Sequence, residues 1–326
     1  MNSAHFMRRR ATSTVLEDTP VSLDVLFDIL SVPRFADSEG ERRIIDSYIM
    51  TLPGVTVDGF VNFWVKVGEG KTLFTAHTDT VHKARAPAQK YQLLYGDGML
   101  TQEGSTCLGA DCGTGIWLML NMIEAGVPGM YLFPRQEELG RVGSEWIAEH
   151  TPWVFKELDI QRCVSFDRKG TTSVITHQSG QRCASDEFCL ALIEQLKDEA
   201  HPFLLDDGGS YTDSYAFRGL VPECINLSVG YYDQHSRDES QDVPFATWLA
   251  NRLIQVKWDE LPTVRTPVLH DEDEGGARYY GYLSDTPRIS GGYQEDILEV
   301  VKSYPDAVTA FLLDYGYGLD DLQEYL

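Results

Sequence analysis

The segment KTLFTAHTDTV, residues 71–81, joins an apolar run to two side chains of the kinds that bind metals. The run from Lys71 to Ala76 contains β-branched and aromatic residues, which predicts a buried strand. His77 and Asp79 follow it directly, and alternate residues of an extended segment point to the same side. Because ligands of open α/β sheets bind at the carboxyl ends of strands, we predict a site at the end of this one.

Short apolar runs alternate with helical patterns between residues 20 and 258. This alternation is typical of α/β proteins, and we predict three layers, with a mostly parallel central sheet and helices on both faces. The predicted strands are 55–67, 71–76, 129–133, 162–166, 172–176 and 224–229. The predicted helices are 24–30, 41–50, 115–125, 142–149, 185–199 and 243–256.

Two segments flank this predicted domain of residues 20–258. Residues 1–19 carry positive charge but lack the apolar core of a secretory signal, so we expect a flexible tail. Residues 259–326 contain prolines and the acidic run 271–276, which predict a linker, followed by two short helical patterns. This helical extension either packs on the main domain or serves as a partner-binding or oligomerisation element.

Composition excludes several classes of function. The 326 residues carry a formal net charge of −23, which repels phosphate backbones and argues against a nucleic-acid partner. The sequence has no apolar run of membrane-spanning length, so we expect no membrane association. The six cysteines lack paired CxxC spacing and are too sparse for a disulfide scaffold, which favours a cytoplasmic location.

Further chemical motifs lie at the ends of predicted strands or at the start of a helix. Asp111 lies in LGADCGTG, a glycine-rich turn that lacks both the Lys-Ser/Thr of a P-loop and the GxGxxG spacing of a dinucleotide site. Taken singly, each motif has a structural alternative: a tight connection, an acidic pair at a helix start, a surface ion pair or a loop histidine. The other motif residues are Glu137, Glu138, Asp167 and His235.

The motifs are more informative as an ordered set. HTDTV, LGADCGTG, EELG, SFDRKG and GYYDQHSRDE resemble the co-catalytic zinc exopeptidases, a clan of di-zinc aminopeptidases, tripeptidase, glutamate-releasing zinc carboxypeptidases and aminoacylase. The resemblance covers residues 20–258 and implies two divalent metal ions, zinc with cobalt or manganese as alternatives. It implies that His77 and Asp167 hold one metal, that Glu138 and His235 hold the other, and that Asp111 bridges both.

The resemblance also implies that Glu137 is the general base and that Asp79 orients the imidazole of His77. Much of the clan carries a second acid after the bridging aspartate, joined to it by a cis peptide, whereas this chain has Cys112. Cys112 is either a thiolate that binds metal or a small buried residue that fills the same space. All five implied metal ligands are intact.

The gap of 68 residues between Asp167 and His235 is too short for the lid domain of the carboxypeptidase and tripeptidase relatives. We therefore expect the lidless architecture of the single-domain aminopeptidases. The segment DDGGSYTDSYAFRG in this gap resembles the glycine-rich Ser-Asp segment near the active site of single-domain aminopeptidases. Asp213 is therefore a candidate for lining the substrate pocket and binding a free α-amine, with a turn acid or helix N-cap as the alternative. Tyr231 and Tyr232 are candidates for lining the pocket or stabilising an oxyanion, with packing as the alternative.

These features predict a metal-dependent amide hydrolase, and within that class an aminopeptidase that acts on short peptides. A carboxypeptidase or an N-acyl amino acid deacylase is the alternative within the class. A glutaminyl cyclase of the same fold would use a single zinc ion. A non-catalytic binding or scaffold protein is the alternative outside the class, and the intact Glu137 argues against it because binding alone needs no general base.

Overall fold

The computed structural model describes residues 18–82, 90–104 and 106–267, together with residues 302 and 305. The chain divides into two compact units, Met1–Leu269 and His270–Leu326, and all elements named below lie in the first. The predicted helical patterns of the C-terminal extension, and most of the predicted N-terminal tail, lie outside the described residues. None of the described helices is long and apolar enough to cross a membrane.

Each predicted helix has a counterpart in the structure, and a π-helical turn, Ile45–Ile49, continues the second one. The described α-helices are α1 (Leu23–Leu30), α2 (Glu39–Ile44), α3 (Ala110–Glu124), α4 (Val142–His150), α5 (Trp153–Glu157), α6 (Asp186–Leu196), α7 (Asp213–Ala216) and α8 (Val243–Gln255). The described strands are β1 (Thr56–Val57), β2 (Phe63–Val67), β3 (Thr72–Thr75), β4 (Leu93–Gly96), β5 (Met99–Gln102), β6 (Gly129–Phe133), β7 (Arg162–Arg168), β8 (Ser173–Ile175), β9 (His177–Gln178), β10 (Gln181–Arg182), β11 (Leu204–Asp206), β12 (Glu223–Ser228), β13 (Tyr231–Tyr232) and β14 (Ser240–Asp242).

The main sheet has eight strands in the order β1-β2-β6-β3-β7-β12-β8-β11. Its centre is parallel, because β6, β3, β7 and β12 all run in one direction. Phe74 of β3 lies opposite both Tyr131 of β6 and Val164 of β7, which fixes the register across the middle of the sheet. The carboxyl ends of these four strands therefore meet at one edge.

Side chains of the central strands alternate between two apolar clusters, one on each face of the sheet. Phe74 packs in the larger cluster, which contains buried residues of α1, α3, α6 and α8. The preceding residue, Leu73, packs in the smaller cluster with Ile147 of α4 and Phe155 of α5. The predicted three-layer arrangement, with helices on both faces of a mostly parallel sheet, is confirmed.

The structure corrects two of the strand predictions. The single strand predicted at 55–67 is two antiparallel strands, β1 and β2, because Val61 adopts a positive φ of 74° between them. A second sheet of four short strands, in the order β13-β14-β5-β4, was not predicted. It matters for the site because two of its strands, β13 and β14, lie between β12 and α8, and β13 includes Tyr231.

A buried histidine gives the fold a predicted dependence on pH. His82 is 1% exposed, its Nδ1 lies 2.5 Å from Thr80 Oγ1, and its Nε2 lies 3.1 Å from the Cys107 carbonyl oxygen. Burial, reinforced by the positive charge of Arg34, lowers the pKa of His82 to about 3. Between about pH 6.5 and pH 3 the unfolded chain therefore binds this proton and the folded protein does not, so stability falls as the pH falls.

We expect His82→Gln to reduce this dependence on pH. In the parent protein, His82 lowers the free energy of unfolding by up to about 1.4 kcal/mol for each pH unit below pH 6.5. The measurement is urea unfolding of metal-free protein at several pH values from 7 to 5, for the parent protein, His82→Gln and the exposed control His150→Gln. Equal pH slopes for the parent and His82→Gln would contradict the prediction, whatever the absolute stabilities.

Candidate metal centre

Asp111 directs its two carboxylate oxygens towards two different groups of side chains. Its Oδ1 lies 3.1 Å from His77 Nε2, and the same nitrogen lies 3.5 Å from Asp167 Oδ1. Its Oδ2 lies 3.2 Å from His235 Nε2, which lies 3.1 Å from Glu138 Oε1. The structure thus brings together the five residues for which the sequence predicts metal binding, and Asp111 is the residue shared by both groups.

The strand order explains how these residues meet. His77 follows β3, Glu138 follows β6, and Asp167 lies near the end of β7, so parallel neighbours place them at one edge. Asn226 of β12 holds the backbone of Asp167, with Oδ1 accepting from its N–H at 3.0 Å and Nδ2 donating to its carbonyl at 2.7 Å. His235 reaches the group from the loop after β13, with a positive φ of 63°.

The proton on His77 can be placed from its backbone contact. His77 Nδ1 lies 3.1 Å from the carbonyl oxygen of Asp79, and because a carbonyl only accepts, Nδ1 carries the proton. In the neutral imidazole, Nε2 then directs a lone pair at the carboxylates of Asp111 and Asp167. Such an arrangement is repulsive unless a proton or a metal cation lies between the atoms.

The donor set therefore fits divalent cations. Glu138 Oε1 is buried, and its close polar contact within the described part of the chain is the imidazole of His235, so it is placed to act as a ligand beside that histidine. Donor atoms of His77, Asp111 and Glu138 all lie within 4.8 Å of one another. Imidazole nitrogen with carboxylate oxygen is a combination that zinc binds readily.

Asp79 acts differently from the sequence-based expectation. Its carboxylate lies 3.6 Å from His77 Nδ1, farther than its own backbone carbonyl, so the carbonyl is the closer partner of the imidazole. The carboxylate instead accepts the N–H groups of Glu137 and Glu138, at 3.0 and 3.2 Å. Asp79 thus fixes the turn that carries the predicted base and one predicted ligand.

Asp167 accepts hydrogen bonds from two hydroxyl groups, one on Tyr231, a predicted substrate residue, and one on Thr212, which precedes another. Thr212 Oγ1 donates to Asp167 Oδ2 at 2.5 Å, a contact that the sequence did not indicate. Tyr231 donates its hydroxyl to Asp167 Oδ1 at 3.3 Å and is otherwise packed in the larger apolar cluster. Tyr231 therefore supports a predicted ligand, while Tyr232 is half-buried and pairs with Ser240 between β13 and β14.

Cys112 is fully buried, and the peptide that joins it to Asp111 is cis. Its thiol donates to the Phe166 carbonyl at 3.0 Å, and burial raises the pKa of this thiol well above its usual range. Its sulfur also lies within 4.8 Å of donor atoms of His77 and Asp167. The hydrogen bond and the burial favour the small packed residue over the thiolate ligand.

Two further acids lie near the ligand group. Burial raises the pKa of Glu137 well above the usual glutamate range, and repulsion from Asp167, Glu138 and Asp213 adds to this while His77 opposes it. Asp213 is 1% exposed, its Oδ1 is buried without a hydrogen-bond partner among the described residues, and burial raises its pKa to about 6. Thr212 is the N-cap of α7, so the N-cap alternative for Asp213 was wrong.

Glu239, like Thr212, contacts the site but was not predicted from the sequence. It lies four residues after His235 in the quoted motif, is 1% exposed, and accepts N–H groups from the glycine-rich turn that carries Asp111. An acid at a short fixed distance after a metal-binding histidine was the available signal.

Comparison with solved structures agrees with this architecture. The aminopeptidase PepT of Bacillus cereus matches with a TM-score of 0.58 and 13% identity, over 72% of this chain and 98% of that one. The TET1 peptidase of Pyrococcus horikoshii matches with a TM-score of 0.54 and 15% identity, over 72% of this chain and 98% of that one. The chain shares its fold with these two peptidases.

A third match to this fold is a tripeptidase from Staphylococcus aureus, with a TM-score of 0.52 and 14% identity, over 72% of this chain and 96% of that one. No protein-family model and no curated protein matches the sequence. At these identities the shared property is the fold. The chemistry of the site is therefore argued from its own residues.

Proposed function

We propose that the protein is a two-metal amide hydrolase, and specifically an aminopeptidase that acts on short peptides. The observation that carries the proposal is the position of Asp111, whose two oxygens face two separate groups of one imidazole and one carboxylate. A single-metal site would need only one such group. The two groups therefore favour a pair of cations over the single zinc ion of a glutaminyl cyclase.

The chain would supply the remaining chemistry from the turn after β6. When bound, the two cations would polarise the scissile carbonyl and lower the pKa of a water molecule. Glu137 would accept the proton of that water and pass it to the leaving amine, because burial favours its protonated form and makes it a stronger base than an exposed glutamate. Asp79 holds the backbone of Glu137 in place during this transfer.

Charge supports a substrate that carries a free amine rather than a free carboxylate at the site. Carboxylates in or next to the ligand group outnumber the four positive charges of two divalent cations: Asp79, Asp111, Glu137, Glu138, Asp167, Asp213 and Glu239. Of the nearby arginines, Arg141 is in an ion pair with Glu145 and Arg168 with Asp206, and the buried Arg34 donates to backbone carbonyls. An α-ammonium group would satisfy the unpartnered Oδ1 of Asp213.

The overall charge of −23 makes nucleic acid an unsuitable partner, which agrees with a small peptide substrate. All six cysteines are buried and free within the described residues. This supports, as part of the same proposal, a reducing cytoplasmic location. Oligomerisation through the C-terminal extension stays a prediction, because that segment lies outside the described residues.

The proposal predicts both a metal requirement and a preference for a free amino terminus. Protein freed of metal with a chelator and reloaded with zinc, cobalt or manganese is assayed on Leu-Gly, N-acetyl-Leu-Gly and Leu-Gly amide. Leucine suits this test because Leu139 and Tyr211 expose apolar surface beside the site. We expect cleavage of the free and amidated peptides after reloading, and at least a tenfold higher KM for Asp213→Asn.

Asp207→Asn, on an exposed residue of the loop that precedes α7, is the matched control and is expected to behave as the parent protein. Cleavage limited to N-acetyl-Leu-Gly would identify a deacylase or a carboxypeptidase, according to whether acetate or glycine is released. Failure of the reloaded protein to bind metal or to cleave any of the three would contradict the proposed function.

A further inference from the structure

Glu239 contacts the glycine-rich turn through three consecutive backbone amides. Its Oε2 accepts the N–H of Gly109 at 3.0 Å, and its Oε1 accepts the N–H groups of Ala110 and Asp111 at 2.8 and 3.1 Å. These amides precede the regular part of α3, because Asp111 and Cys112 have non-helical dihedral angles. They have no acceptor within the helix, and the carboxylate takes that role.

A buried cation holds the same turn from the other side. Arg34 is 0% exposed and donates through Nη2 to the Gly109 carbonyl at 2.7 Å, and through Nε to the Thr78 carbonyl at 3.2 Å. Gly109 thus donates to a carboxylate and accepts from a guanidinium. Its positive φ of 75°, and the 3.0 Å contact that a Cβ would make with His82, restrict this position to glycine.

Glu239 also lies on the chain segment that carries His235. It follows that histidine by four residues, and its loop is closed by a hydrogen bond from its own N–H to the Ser236 carbonyl at 3.2 Å. One carboxylate therefore links the backbone of Asp111, which faces both groups, to the loop of His235, which faces one of them. Because two of the predicted ligands depend on it, Glu239 is placed to set the distance between them.

We propose that Glu239 is the positioning residue for the predicted second metal, which Glu138, His235 and Asp111 would hold. The inference rests on the proposed function. Glu239 makes no contact with that metal's other ligands in the described hydrogen bonds, and it acts through the three amides of the turn. In Glu239→Gln the amide oxygen can still accept from the N–H groups on one side, but the amide nitrogen is a donor and faces a backbone N–H on the other, which lets the turn and Asp111 shift.

The test is metal affinity in folded protein, not activity. Metal-free parent protein, Glu239→Gln, Glu239→Asp and the exposed neighbour Asp238→Asn are titrated with Co²⁺ against a chromophoric chelator, after circular dichroism shows that each is folded. We expect one of two Co²⁺ sites to lose affinity by about 10–100-fold in Glu239→Gln, with the other site much less changed. Asp238→Asn is expected to match the parent, and Glu239→Asp to lie between.

The outcomes separate this inference from the proposed function. If the parent protein binds no Co²⁺, the proposed function fails. If the parent binds two ions and folded Glu239→Gln binds both as tightly as the parent does, only the positioning role fails. Glu239 would then be a purely structural helix cap. If Glu239→Gln does not fold, the Co²⁺ affinities of Glu239→Asp are compared with those of the parent in the same way. The aspartate side chain is one methylene shorter and keeps the charge.

Discussion

Replacement of Glu137 by glutamine is expected to lower kcat by about 10²–10⁴-fold on the peptide that the parent protein cleaves best. Glutamine has the same shape but cannot accept the proton of the attacking water. The hydrogen bond from the residue 137 N–H to Asp79 involves the backbone, so it is retained. KM and the number of bound metal ions should therefore stay close to the parent values.

The measurement is steady-state kinetics of the reloaded protein together with its metal content by elemental analysis. Glu157→Gln makes the same chemical change on an exposed residue of α5 and should have parental activity. A Glu137→Gln protein that keeps both metals and more than a tenth of the parent kcat would rule out Glu137 as the general base. Loss of metal in this variant would instead indicate that Glu137 is a ligand.

Replacement of Asp111 by asparagine is expected to remove at least one of two metal ions and to abolish measurable peptide cleavage. Asp111 faces both groups, so loss of its charge weakens both, and the loss of affinity should exceed the about 10–100-fold cost of changing an indirect contact. The test is metal content after equilibrium dialysis against micromolar zinc. Asp46→Asn, on an exposed residue, is the matched control.

Retention of two tightly bound ions by folded Asp111→Asn would contradict the central role of Asp111. A protein that loses one ion and keeps the other would show which group of ligands is stronger. The same preparation of Asp111→Asn provides the low-affinity reference for the Glu239 titrations. Its circular dichroism spectrum must match that of the parent before any of these comparisons is made.

The fold was predictable where local pattern and tertiary burial agree. The prediction of helix 243–256 is close to α8, since Asp242 accepts the N–H of Phe245 as an N-cap and Pro244 follows it. The strand predicted at 71–76 is close to β3, because it is a continuous apolar run buried on both faces. The position of His77 at one edge of the sheet was predictable because ligands bind at the carboxyl ends of parallel strands.

Other features were not predictable because their partners are distant in sequence. The strands β4, β5, β13 and β14 are two to four residues long, and β5 and β14 pair across more than a hundred residues. The HxD pattern predicted that Asp79 orients His77, yet its carboxylate accepts backbone N–H groups 58 and 59 residues away. Such contacts depend on how the loops pack.

The turn that follows β6 has a consequence for any variant of this site. Glu137 and Glu138 are joined by one trans peptide, so their Cα atoms stand about 3.8 Å apart whatever the surrounding side chains do. Covalent geometry, and not packing, therefore sets the spacing between the two Cα atoms, while the side-chain torsions set where each carboxylate points. Substitutions elsewhere can move the two backbones as a unit, but only an insertion between them can separate the two Cα atoms.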